Sequence, residues 1–291
     1  MNQMQGSVSL TFCDSGENLA GMKMLGERVP EGEGFSVEDL LRAQANFKAL
    51  GCECEMIDFA GLLHDIAGKT LELNIPEGSA GAVLIIRGGA KVFGDVEEMK
   101  KEMTNFEWDK KYWCTRRKKV LNKHARANVC FDVEDEIADY ENGQGTVVSW
   151  DTVPEVAKIR SGLKFMLGKK GQDLVCEGNQ YFSEKCGIGF HGDAERRKVV
   201  AVRLGCAMRM QWCWHFQNSA VGRKCEVVLE DGDMYIMEEK AVGTDWGRSS
   251  IFTLRHAAGA EKYLQETREE GADDVAWIGL KKMFDADETA D

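Results

Sequence analysis

Six short stretches follow one another from residue 173: DLVCEGNQYF (Asp173–Phe182), CGIGFHGD (Cys186–Asp193), KVVAVRLG (Lys198–Gly205), MRMQWCWHF (Met208–Phe216), KCEVVLEDGDMYIM (Lys224–Met237) and SSIFTLRHAAG (Ser249–Gly259). They carry many β-branched and aromatic residues, and turn-forming Gly, Asp, Asn or Ser punctuate them. Strands this short and this closely spaced, with few helices between them, predict an antiparallel barrel or jelly roll.

Upstream the pattern is mixed. SVSLTF (Ser7–Phe12) alternates as a strand does, and CDSGENLAG after it supplies turn residues. Ser36 opens SVEDLLRAQANFKALG as an N-cap, with an acid three positions on, apolar residues at helical spacing and Gly51 as a stop. CECEMIDF (Cys52–Phe59) alternates again, and AGAVLIIRGG (Ala80–Gly89) reads as a buried strand. Residues 1–90 thus predict a small α+β unit. Residues 91–150 form a charged connection, helix-prone as far as 126. Thr152–Gly168 has a cap, an early Pro and helical spacing, so it predicts a helix. The fold class is α+β, with the jelly-roll core over 151–262 and an acidic tail over 263–291.

The chain has 291 residues, 43% of them hydrophobic, and a formal net charge of −12. That apolar fraction argues against wholesale disorder. The acidic balance argues against a protein that coats nucleic acid non-specifically, which needs a basic surface. No run is long and apolar enough for a membrane-spanning helix. The start, MNQMQGSVSLTF, lacks the basic-then-apolar pattern of a signal peptide, so the expected compartment is intracellular, cytoplasmic or nuclear. The ten cysteines are scattered without a CxxC pair and read as reduced, packed thiols.

Chemistry centres on FHGDAER. On an extended segment residues i and i+2 share a face, so His191 and Asp193 set an imidazole beside a carboxylate. That is the start of a 2-His-1-carboxylate site for Fe(II). Asn179 and Tyr181 (N-x-Y) precede it. After it come a strand ending in Leu204-Gly205, then LEDGD with Gly232 and Asp233, then TLR ending at Arg255. This ordered set, over about residues 115–260, resembles the AlkB-like family of Fe(II)/2-oxoglutarate dioxygenases. The resemblance implies a double-stranded β-helix, with His191 and Asp193 as iron ligands. It implies that Arg255 clamps a carboxylate of 2-oxoglutarate, that Asn179 and Tyr181 hydrogen-bond the co-substrate, and that Arg248 stands near a further family arginine.

The family's second histidine has no match at its usual place. Counting on from Gly232 lands on Trp246, with Asp245 just before it. Three readings stand: Asp245 is the third ligand, His256 swings in, or the site is degenerate and the chain is a non-catalytic binding module. His256 neighbours Arg255 and therefore points to the opposite strand face. His215, among Trp212, Trp214 and Phe216, reads as a core or groove residue; His64 and His124 have no ligand partners at useful spacing.

Members of the AlkB-like family oxidise N-methyl groups, mostly on nucleic-acid bases and in some cases on protein side chains. Lys110–Arg126 (KKYWCTRRKKVLNKHAR) holds eight cations and no acid. Tyr112, Trp113, Arg116 and Arg117 within it could stack a base and track phosphates, in the place where the family carries its substrate lid. A solvated helix face that balances the acidic run after it explains the same stretch equally well. No stretch singles out a protein partner.

Overall fold

The computed structural model describes residues 6–17, 21–63 and 81–265. The first strands are β1 (Ser7–Cys13), β2 (Ser15–Glu17), β3 (Met24–Gly26), β4 (Cys54–Asp58) and β5 (Ala82–Ile86). The middle of the chain adds β6 (Lys111–Cys114), β7 (Lys119–Asn122), β8 (Ala127–Asp132) and β9 (Val147–Ser149). The predicted run of strands follows as β10 (Val175–Tyr181), β11 (Gly187–His191), β12 (Val199–Gly205), β13 (Met208–Phe216), β14 (Ser219–Leu229), β15 (Met234–Met237) and β16 (Thr253–Gly259). The α-helices among the described residues are α1 (Val37–Ala49), α2 (Val96–Glu102), α3 (Pro154–Leu167), α4 (Glu239–Val242) and α5 (Glu261–Leu264). The fold is α+β, with most strands in antiparallel sheets.

Local chemistry accounts for the two long helices. Ser36 and Asp39 cap α1 reciprocally, each side chain bonding the other's backbone N–H. Pro154 occupies the first turn of α3, where its missing N–H costs nothing.

Among the described residues, an eight-stranded sheet runs β4-β5-β15-β12-β1-β10-β8-β9, and a four-stranded sheet runs β11-β16-β13-β14. Pairing is antiparallel throughout both except between β8 and β9. The large sheet uses its two faces differently. One face presents Val8, Leu10, Phe12, Val200, Val202, Leu204 and Ile236, which pack with Leu40, Ala43 and Phe47 of α1 and Ile159 and Leu163 of α3. The other presents Val83, Ile85, Val199, Ala201 and Tyr235, which pack with Met210, Trp212, Trp214 and Leu254 of the small sheet. Two sheets thus face each other, with helices behind the larger.

Two expectations change here. Residues 1–90 do not make a unit of their own, because β1 lies between β10 and β12, with β4 and β5 further along the same sheet. Leu10 sits between Gly178 and Val202, fully buried. The basic segment is also not helical. β6 and β7 form a hairpin that pairs Trp113 with Val120 and Tyr112 with Leu121, so aromatic and branched residues prevail over helix propensity. The turn passes through Lys118 at φ 47°. His64, the tail beyond 265 and part of the N-terminal segment lie outside the described residues. All ten cysteines are free thiols, five of them buried in the sheets and the loops that join them. No helix among the described residues is long and apolar enough to cross a membrane.

Because β1 completes the large sheet, Leu10→Ala is expected to lower the unfolding free energy of the whole chain by about 2–5 kcal/mol. Circular dichroism and tryptophan fluorescence should report one shared transition. A separate early transition that spares the 151–262 region would show instead that the N-terminal segment folds by itself.

Candidate metal centre

His191 ends β11 and His256 lies within β16, and their antiparallel pairing sets the two residues opposite each other. Their rings are 4.5 Å apart, centroid to centroid. Asp193 follows in the next turn. Its Oδ1 is 3.4 Å from His191 Nε2 and 3.6 Å from His256 Nε2. One ligand atom from each residue lies within 4.8 Å of the others, so the three converge on one point. Two imidazoles and a carboxylate converging in this way match the 2-His-1-carboxylate donor set.

The surroundings hold this geometry. His191 Nδ1 is 2.8 Å from the Gly189 carbonyl, a contact that places the proton on Nδ1 and leaves the Nε2 lone pair facing Asp193. The Asp193 N–H donates to the Val242 carbonyl at the end of α4 (3.0 Å). Gly192 between the two ligands is required, because a Cβ there would overlap the Gly243 carbonyl. Burial alone would push the Asp193 carboxyl up. The Arg196 guanidinium and the two imidazoles outweigh it and hold the group well below the usual carboxylate range. Burial and His191 together push the His256 imidazole below its ordinary value, against the pull of Asp193. A neutral imidazole beside an ionised carboxylate is the protonation state a divalent cation needs.

Arg196 is the counter-ion of the cluster. It is buried, lies 3.7 Å from Asp193 Oδ2 through Nε, and pairs through Nη2 with Glu177 and Glu195. Glu177 in turn accepts from Asn179 Nδ2 at 3.1 Å.

Of the side chains weighed for the third position, His256 and not Asp245 joins the cluster. Asp245 is held away by Lys240, whose Nζ meets its Oδ2 at 2.5 Å. The strand parity places His256 inward with Leu254 and Ala258, opposite Trp212. It therefore turns Arg255 outward. Arg255 lies over the Trp246 ring at 5.2 Å and donates to Asn218 Oδ1 (3.0 Å) and to the Trp246 carbonyl (3.2 Å), away from the triad. The sequence held the signal: Leu254 and Ala258 against Thr253 and Arg255 mark the even positions as the apolar face. Arg248 is exposed on the loop that precedes β16. Asn179 and Tyr181 are buried on the inward face of β10; Asn179 Oδ1 accepts from Arg126 Nε (2.6 Å) and from Asn128. His215 lies on the outward face of β13 with Nδ1 near the Cys213 carbonyl, and His124 is exposed. Tyr112 and Trp113 are half-buried on the hairpin, and Arg116 and Arg117 are exposed at its turn.

No family model matches the chain. Over 266 residues it is 36% identical to "Uncharacterized protein R156" of Acanthamoeba polyphaga mimivirus, which covers 91% of this chain and 100% of that protein. The chain belongs to the family of that mimivirus protein. The shared length takes in nearly the whole of both chains, so family membership concerns the complete arrangement of sheets and not an isolated module.

Two outcomes follow from the site. Calorimetric titration with Mn(II) is expected to show one site that His191→Ala, Asp193→Ala or His256→Ala abolishes and Asp245→Ala leaves intact; loss on Asp245→Ala alone would reverse the assignment. The second concerns α4, which carries the carbonyl that holds Asp193. Burial pushes its capping residue Glu238 up to about 7. The folded protein then binds a proton that the unfolded chain has released, so stability falls as pH rises from the ordinary carboxyl range through about 7. Glu238→Gln is expected to flatten that slope in denaturant titrations between those limits.

Proposed function

We propose that this chain is an AlkB-like Fe(II)/2-oxoglutarate-dependent dioxygenase that hydroxylates a C–H bond, with an N-methyl group on a nucleic-acid base as the favoured target. The observation that carries the reading is the convergence of His191, Asp193 and His256. A degenerate relative would lack a third ligand, and His256 supplies one. The order of strands supports a double-stranded β-helix core. From β10 to β16 the chain crosses between the facing sheets at every step except the β13–β14 hairpin, with β10, β12 and β15 in the large one and β11, β13, β14 and β16 in the small one.

His191, Asp193 and His256 are the residues that would hold the metal. Bound Fe(II) would supply oxygen activation coupled to decarboxylation of 2-oxoglutarate. The protein's part is to hold the His256 imidazole below its ordinary pKa and Asp193 ionised, and to position the three side chains through Gly189, Val242 and Arg196. Trp212, paired with His256, and Tyr235 are buried in the same apolar cluster beside the site. Oxidation of an N-methyl carbon gives an N-hydroxymethyl group, which releases formaldehyde; carbon dioxide and succinate leave from the co-substrate. The β6–β7 hairpin supports a nucleic-acid substrate, because it carries Arg116, Arg117, Lys118 and Lys119 exposed at its turn in a chain of net charge −12.

Incubation with Fe(II), 2-oxoglutarate, ascorbate and N-methylated single-stranded oligonucleotides is expected to yield succinate and formaldehyde in equal amounts. His256→Ala should abolish both. Arg116→Ala with Arg117→Ala should raise KM in a salt-dependent way and leave kcat nearly unchanged. A protein that binds Fe(II) and yields neither product sinks the oxygenase reading.

A further inference from the structure

Asp193 divides its two oxygens. Oδ1 faces the imidazoles of His191 and His256. Oδ2 faces the Arg196 guanidinium, whose Nε stands 3.7 Å away. That gap is too long for a hydrogen bond, and closing it by about 0.8 Å would make one. Unlike charges this close in a buried setting attract strongly, so other contacts must hold the guanidinium back.

Those contacts are two further carboxylates. Arg196 Nε donates to Glu195 Oε1 at 2.9 Å, and Nη2 pairs with both Glu177 and Glu195. Nη1 reaches Cys13 Sγ at 3.7 Å. Each nitrogen of the group is engaged, and none of these hydrogen bonds goes to Asp193. Glu177 belongs to β10 and Glu195 to the loop that carries Asp193, so a strand of the large sheet and the ligand loop share one cation. The backbone of that loop is tied down as well. Thr244 Oγ1 donates to the Arg196 carbonyl at 2.7 Å, and the Arg197 N–H donates to Asp14 Oδ1 at 3.0 Å.

Arg203 of β12 is the contrast. It is also buried, yet its donors meet a hydroxyl and a thioether, Ser7 Oγ at 3.2 Å and Met208 Sδ at 3.1 Å. No ion pair to it is found among the described residues. The carboxylates of this interior are thus gathered at the one arginine that adjoins a candidate ligand. The reason is chemical. A carboxylate that accepts a charge-assisted hydrogen bond has part of its charge neutralised by the donor, and donates less to a cation.

We propose that Glu177 and Glu195 are positioning residues of the metal centre: by occupying the Arg196 guanidinium they keep it from hydrogen-bonding Asp193, so that this carboxylate remains free to bind a divalent cation. Both act through Arg196 and not on the metal. The inference rests on the triad as a metal site and is independent of the oxygenase reaction.

Metal binding tests it without turnover. The full chain is titrated with Mn(II) by calorimetry in four forms: wild type, Glu195→Gln, the neutral pair Arg196→Met with Glu177→Gln, and the triple variant that combines them. The pair is removed together because either partner alone would leave a buried charge uncompensated. Glu195→Gln is expected to weaken Mn(II) binding about tenfold to a hundredfold in the wild-type background, as the freed guanidinium turns to Asp193. The triple variant should bind as the neutral pair does, within about twofold, because no guanidinium is left to release. Equal affinity in Glu195→Gln and wild type overturns the inference. So does an equal loss in both backgrounds, which would show Glu195 acting by its own charge. Should the neutral pair fail to fold, Co(II) decides: the visible absorption of Co(II)-loaded Glu195→Gln should differ from that of wild type, and identical bands overturn the proposal. Wild type that binds no Mn(II) removes the metal centre and this inference together. The expected Mn(II) pattern in a chain that yields no succinate upholds the inference and removes the oxygenase reading alone.

Discussion

The pairing of β16 between β11 and β13 is the constraint on which the site depends. It fixes which of two neighbouring residues, Arg255 or His256, enters the space between the sheets. A slip of one residue would exchange them, since successive side chains point to opposite faces. The register is secured by apolar contacts at both ends of the strand, where Leu254 and Ala258 lie with Trp214 and Met210 in the interior. Hydrophobic burial thus sets the orientation of an imidazole whose own burial is unfavourable.

The buried charges are arranged as a graded series. Arg196 stands at one end with acids on several sides, and Asp193 is drawn into the ionised state by it. Further along the same face, Asn179 and the serines of β1 carry hydrogen bonds without charge. Arg203 closes the series as a cation with neutral neighbours. An interior of this kind is costly to fold, because each buried charge needs hydrogen bonds or a counter-ion to offset its desolvation.

Much of this was legible in the residues. The strands from 175 to 259, the capped helix after Ser36 and the pairing of His191 with Asp193 all follow from local patterns of short range. The position of β1 did not, because its partners lie far along the chain and SVSLTF looks the same at an edge as at a centre. The place of His256 in the cluster was less legible, because linear spacing points to Asp245 while the parity of Leu254 and Ala258 points to His256. The basic hairpin was mistaken for a helix because charged residues obscure the alternation of Tyr112, Trp113, Val120 and Leu121.

The central place of β1 has a consequence for biosynthesis. β1 finds its neighbours only in residues 175–181 and 199–205, which are synthesised much later than it is. Until then both of its hydrogen-bonding edges and the side chains of Val8, Leu10 and Phe12 have no native cover, a situation that invites pairing with other chains. Closure of the larger sheet around β1 therefore waits on strands made much later, and until they emerge the nascent polypeptide depends on delay, dilution or a chaperone to keep β1 unpaired.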